Sequence, residues 1–264
     1  KFGYSLSKGT TYNSYIILDE KTALIDTVKH GFTQETVSRI NDVTNASNID
    51  YIIIGNYRMD HSGSLPFLMK RAENATIVTT EGSKNAIEKY HGGKWNFKIV
   101  KNGDSFNLGK RTLLFKEFKT GGNDTLLTYS EEDKILFSED LFSQHIASKD
   151  RLDAGISDLE NDALSYFVNY LMPIKKLPDL ADIKILAPNH GVIWHQSTGE
   201  IIERYQSWIK GESRDRATIL YSSIWRGTEK MAYAIADGAG STGIEVEAIN
   251  YENHDLGYIL KKLF

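Results

Sequence analysis

Cysteine is missing from all 264 residues. No disulfide, thiolate metal site, iron–sulfur cluster or rubredoxin-type centre can form within this chain, so any metal it holds must take histidine and carboxylate ligands. Proline is scarce, at 4 residues, and with 41% hydrophobic and 25% charged residues the composition is that of an ordinary globular chain. No apolar run approaches the roughly 20 residues that span a bilayer, and the opening residues do not read as a basic-then-apolar leader, so a cytoplasmic location is the expectation. The net charge of −4 gives no argument for nucleic acid or an anionic membrane as partner.

What is present is an alternation of short buried-looking strands and amphipathic helices. Tyr51-Ile52-Ile53-Ile54 reads as a buried strand, followed by the polar stretch Asn56-Tyr57-Arg58-Met59-Asp60-His61-Ser62-Gly63 and then by an apolar helix from about residue 64. Polar residues at a strand's carboxyl end are where active sites of layered α/β folds sit. The alternative for Asp60 or Ser62 is a helix N-cap. Two later strands end in the same way, Ile135–Ser138 running into Glu139-Asp140 and Ile183–Ala187 into Pro188-Asn189-His190-Gly191. Asp60, His61, Asp140 and His190 thus come from separate strand-end loops, a convergence that a borderline or hard cation requires of a chain without thiols.

Asp26, at the end of an early strand, reads as structural. His30, His91, His195 and His254 read as surface or satisfied polar residues, and His145 as a candidate to brace a ligand from behind. Lys210 to Arg216 is polar and without apolar periodicity, which places a domain boundary there. Beyond it a strand, Ala217–Tyr221, leads through Ser223-Ile224-Trp225-Arg226-Gly227-Thr228 into a helix. Backbone N–H groups and hydroxyls at a helix N-terminus make a phosphate cradle, the plain alternative being a tight strand-to-helix turn.

These motifs resemble those of the flavodiiron proteins (A-type flavoproteins). The family's first ligand loop reads His-x-Glu-x-Asp-His-Ser-Gly, its second carboxylate lies in Ser-Asn-Asp-x-Phe-Gly-Gln-His, and a later ligand in Pro-Ser-His-Gly-x-x-Trp. Here Asp60, His61, Ser62 and Gly63 match the first, Ser138 to His145 the second with Asp140 on the bridging position, and Pro188 to Trp194 the third with His190 on a ligand position. Asn56 stands where the pattern has its first His, Arg58 where it has Glu, and Gly121 where it has a further His in Leu-His-Trp-Pro-Asp. All three losses fall on one iron. The segment 223–228 resembles the Trp-bearing FMN-phosphate loop of the same family, and Met231 fits as well.

The resemblance implies an α/β chain in two parts: a metallo-β-lactamase-like αβ/βα sandwich over 1–211, then the N-terminal part of a flavodoxin-like FMN-binding domain over 212–264. About three further strands would complete that second domain, so the chain is expected to be part of a longer protein. The implied function is that of a flavodiiron oxidoreductase, with FMN-linked reduction of O₂ or NO, an electron-donor protein or flavin reductase as partner, and a head-to-tail homodimer or an assembly with a paralogue. The depleted site implies at most one iron. It leaves open a non-catalytic paralogue that assembles with a competent subunit, and less so a mononuclear metallo-hydrolase. A guanidinium cannot ligate a cation, so Arg58 is expected to point into the old metal cavity and pair with Asp60 or Asp140.

Overall fold

Eleven consecutive residues from Tyr15 hold two short apolar strands and a reversal, and they open the first sheet. A computed structural model describes residues 6–120, 123–172, 174–179, 182–212 and 215–264. Strands β1 (Tyr15–Ile17) and β2 (Thr22–Ile25) form an antiparallel hairpin. Helix α1 (Thr33–Asn41) crosses to β3 (Ile49–Ile53), which lies parallel to β2. The short helices α2 (Met59–Ser62) and α3 (Leu65–Met69) lead to β4 (Thr76–Thr79), and α4 (Glu81–His91) to β5 (Phe97–Ile99), giving a sheet in chain order. The apolar spacing Val37/Ile40, Leu65/Leu68 and Ile87 buries one stripe of each helix against Ile52, Ile54 and Ile77.

The second sheet runs β10-β9-β8-β7-β6, built from β6 (Ser105–Asn107), β7 (Thr112–Thr120), β8 (Asn123–Ser130), β9 (Ile135–Glu139) and β10 (Ile185–Pro188). Only β10 and β9 are parallel; the others pair antiparallel. The two sheets face one another through Ala23, Ile25, Ile53 and Val78 on one side and Leu113, Phe115, Leu126 and Phe137 on the other, all buried. Alternation in β8 puts Leu126 into this interface and Leu127 onto the opposite face. There α5 (Leu159–Tyr166), a π-helical turn at Phe167–Leu171, and α6 (Thr198–Lys210) cover the sheet around Phe142, Tyr205 and Trp208. Helix on sheet on sheet on helix is the αβ/βα sandwich that the sequence led us to expect.

Beyond Asp215, β11 (Arg216–Tyr221) and β12 (Glu245–Asn250) pair parallel with α7 (Gly227–Gly240) between them, a β-α-β unit. The last helix, α8 (Leu256–Lys261), returns to the first core: Leu260 and Phe264 pack on its apolar cluster, and Phe264 meets Phe167 edge-on at 5.8 Å. No helix among the described residues is long and apolar enough to cross a membrane.

Candidate metal centre and phosphate loop

Four strand ends meet at one edge of the sandwich. The chain leaves β2 at Asp26, β3 at Gly55-Asn56, β9 at Glu139-Asp140 and β10 at Asn189-His190. Asp26 (φ 52°), Glu139 (φ 55°) and Phe142 (φ 66°) are non-glycine residues in the left-handed region, and Gly191 follows at φ 85°. Each such L-residue costs roughly 1–2 kcal/mol, and such conformations persist where the surrounding structure imposes them. Gly191 has a second reason: a Cβ there would lie 2.1 Å from Oε1 of Gln144, whose amide donates to the Phe142 carbonyl.

His61 is wholly buried at the centre. Its Nδ1 lies 2.9 Å from Oδ2 of Asp26 and 3.3 Å from Oε2 of Glu139. Its Nε2 has no hydrogen-bond partner among the described residues, yet it faces Oδ1 of Asp140 at 3.6 Å and Oδ1 of Asp60 at 4.0 Å. His190 approaches from the other side, with Nε2 3.6 Å from Asp140 Oδ1 and 3.8 Å from Asp60 Oδ2. His190 donates Nδ1–H to the Thr11 carbonyl at 2.7 Å, which leaves its Nε2 lone pair turned toward the carboxylates.

Asp60, His61 and His190 are close enough to bind one ion together, and so are Asp26, His61 and Glu139. An orphaned, buried imidazole nitrogen facing two carboxylates and a second imidazole is the donor set a single divalent cation would satisfy. The residues fit one metal.

Among the described residues, the second group, Asp26, His61 and Glu139, shares His61 with the first. Asn56 is buried, but its amide donates to Asp140 Oδ2 at 3.4 Å and its Oδ1 accepts from the Arg58 N–H at 3.1 Å. Gly121 lies outside the described residues. Arg58 does not do what was expected of it: its side chain is exposed and makes no ion pair with Asp60 or Asp140. The physical reason is twofold. An exposed guanidinium keeps its hydration, and the counter-charge to the buried carboxylates is already supplied by His61. Neither Asp60 nor Ser62 acts as a helix cap either; the Ser62 hydroxyl donates to the Tyr57 carbonyl and contacts His91 at 3.0 Å.

The electrostatics follow from burial and mutual contact. Burial alone would lower the His61 pKa, but Asp140, Asp26 and Glu139 outweigh it and push it well above 6.5. Burial would raise Asp140, but His61, His190 and the Tyr166 hydroxyl hold it well below the usual carboxylate range. Glu139 is pushed up, first by burial and then by Asp26. Burial lowers His190, and burial together with Asp140 raises Tyr166.

Two of these groups were not read as site residues from sequence. Tyr166, at the end of α5, donates to Asp140 Oδ1 at 2.6 Å and stacks on Tyr170 with centroids 4.8 Å apart, through the π-helical turn. Glu139 stands beside Asp140 where the flavodiiron motif has Asn, and that departure was its one signal. Asp26, read as structural, proves to be the partner of His61. His145 packs against Tyr166 and His190 with ring centroids 4.8 and 5.9 Å away, as a bracing residue would.

The segment 223–228 joins the carboxyl end of β11 to α7, a 14-residue helix. Arg226 takes φ 60° and pairs with Glu229 at 2.7 Å, while Ile224 and Trp225 stand 82% and 91% exposed. A free helix N-terminus beside an exposed flat aromatic suits a phosphate attached to a planar ring system.

The ODP family beta lactamase profile matches residues 10–191, which contain the four strand ends of the candidate metal centre. A nitric oxide reductase of Moorella thermoacetica is 35% identical across 98% of this chain and 68% of that protein, and an uncharacterized protein of Methanocaldococcus jannaschii is 40% identical across 99% and 69%. The chain belongs to the flavodiiron protein family. The flavodiiron protein of Giardia intestinalis superposes with a TM-score of 0.90 at 31% identity, over 98% of this chain and 66% of that one. The rubredoxin oxygen:oxidoreductase of Desulfovibrio gigas gives 0.90 at 28%, over 97% and 68%. The chain therefore spans about two thirds of the flavodiiron proteins it matches, and the sandwich is their metallo-β-lactamase-like fold.

Proposed function

We propose that this flavodiiron chain reduces O₂ or NO with electrons from FMN, at a centre that holds one metal ion rather than two. The observation that carries the reading is the buried, unpartnered Nε2 of His61 among Asp60, Asp140 and His190. These four residues would hold the ion, which when bound supplies one-electron chemistry toward a diatomic gas. Asn56, Arg58 and Gly121 leave the other iron position without an imidazole or carboxylate of its own, apart from the bridging Asp140.

The protein's own part is orientation and proton control. Thr11 fixes the His190 ring, Asp26 fixes the His61 ring, and the Tyr166 hydroxyl holds one Asp140 oxygen while Asn56 holds the other. Tyr166 stays protonated at neutral pH and keeps its O–H on Asp140 Oδ1, so its proton is held beside the residues that would hold the ion. Residues 223–228 would take the FMN phosphate on the α7 N-terminus, with the ring system completed by parts of the protein beyond the two-stranded unit. Residues 1–211 and 212–264 are then the gas-reducing and flavin parts. A head-to-tail dimer would bring one subunit's flavin to the other's metal centre, and an external flavin reductase or electron-donor protein would reduce it.

A second reading has its own observation. With Asn56 engaged by Asp140 and Arg58 turned to solvent, the chain suits a non-catalytic paralogue that completes a competent subunit. Anaerobically reduced complete protein, iron-loaded and FMN-loaded, should consume O₂ or NO by itself. Consumption that arises only on mixing with a paralogue would favour the second reading and overturn the first.

A further inference from the structure

Behind His61 sits a carboxylate that the proposed single-metal centre does not use. Glu139 is 1% exposed, and its Oε2 is buried without a hydrogen-bond partner among the described residues, 3.3 Å from Nδ1 of His61. A Cβ on Gly55 would lie 2.1 Å from Glu139 Oε1 and 2.5 Å from the Leu126 carbonyl, so glycine at this strand end accommodates both the β8 backbone and this side chain. The left-handed turn at Glu139, φ 55°, aims the side chain inward between the sheets while the next residue, Asp140, points into the pocket.

Asp26 already occupies the same imidazole nitrogen at 2.9 Å, and it is itself tied down by the Gly55 N–H on one oxygen and by the Asn189 amide on the other. A second buried carboxylate is costly unless it faces positive charge. An imidazole whose Nε2 is bound to a cation provides that charge, because the N–H opposite the metal becomes a stronger donor. Metal-bound histidines regularly give this N–H to a carboxylate, which sets the ring's orientation and raises its strength as a ligand. Here two carboxylates converge on it.

We propose that Glu139 is a positioning residue which, with Asp26, clamps the Nδ1–H of His61 and delivers Nε2 to the metal. Glu139 places a second carboxylate behind the histidine, against Gly55, the residue before Asn56. The inference rests on the single-metal reading above, and the test separates the two.

The test is Co²⁺ titration of the complete protein against a competing chelator, in wild type, Glu139→Gln, Glu139→Asn and Asp60→Asn. Gln keeps the volume of Glu and loses its charge, and it should weaken Co²⁺ binding about 10–100-fold and shift the visible ligand-field bands. Glu139→Asn, which restores the residue of the family motif, serves if the Gln variant does not fold and should weaken binding in the same sense. Wild-type affinity and unchanged bands in a folded Glu139 variant would overturn the proposal. If neither wild type nor Asp60→Asn binds Co²⁺, the single-metal reading fails instead. The Glu139 proposal is then decided on the metal-free protein by the ¹⁵N ring resonances of His61: a shift of Nδ1 in Glu139→Gln supports the clamp, and identical resonances sink it.

Discussion

Asp26 and His61 lie 35 positions apart and meet at 2.9 Å, Oδ2 to Nδ1, with neither side chain more than 1% exposed. The contact joins the end of β2 to α2, and it is reinforced by backbone: the Asp26 N–H donates to the Ile53 carbonyl and the Thr27 N–H to the His61 carbonyl. The metal-facing nitrogen of His61 is therefore held by the sheet, although the residue itself sits on one turn of helix between loops.

Tyr166→Phe removes the O–H that donates to Asp140 at 2.6 Å and nothing else. A hydrogen bond to a charged group is worth about 1.5–3 kcal/mol, so the metal-free protein should melt measurably lower and the Asp140 pKa should rise toward 3.8, its ordinary value. Thermal melts and carboxylate ¹³C titration check this; an unchanged Asp140 titration would contradict the contact.

Arg58→Ala should leave the centre as it is. The side chain is exposed and makes no ion pair among the described residues, and surface changes of this kind stay within about 0.5 kcal/mol. Metal content after identical iron loading should equal that of wild type, for Arg58→Glu as well. A rise in the Glu variant would mean that the guanidinium reaches the cavity in solution.

The metal-free protein should lose stability as it becomes more alkaline. The His61 pKa is raised in the fold by Asp140, Asp26 and Glu139 against the effect of burial. The stability it contributes is thus full below the unfolded value near 6.5 and is lost as pH rises through the higher folded value. Urea midpoints across that window should fall in the wild type and fall less in His61→Gln. Equal slopes would remove His61 from the account.

Much of this was legible in the sequence, and the parts that were not have physical reasons. Asp60, His61, Asp140 and His190 announced themselves because strand ends carry polar residues at fixed motif spacings, and the structure brings all four together. Strand β8 was not read, since Thr125-Leu126-Leu127-Thr128 buries both faces, Leu126 between the sheets and Leu127 beneath the helices, and so lacks clear alternation. Tyr166 carries no signal in the sequence, because the contact of its hydroxyl with Asp140 joins the end of α5 to the loop after β9, 26 positions apart. For Arg58, charge complementarity alone points into the cavity, but the side chain is exposed and His61, three residues on, supplies the counter-charge.

The most direct measurement is the number of metal ions per chain, by mass spectrometry under native conditions after anaerobic iron loading of the complete protein, in wild type and Asp60→Asn. One iron per wild-type chain and a marked loss in Asp60→Asn is the predicted result. Two irons per wild-type chain, or an Asp60→Asn variant that retains full occupancy, would contradict it.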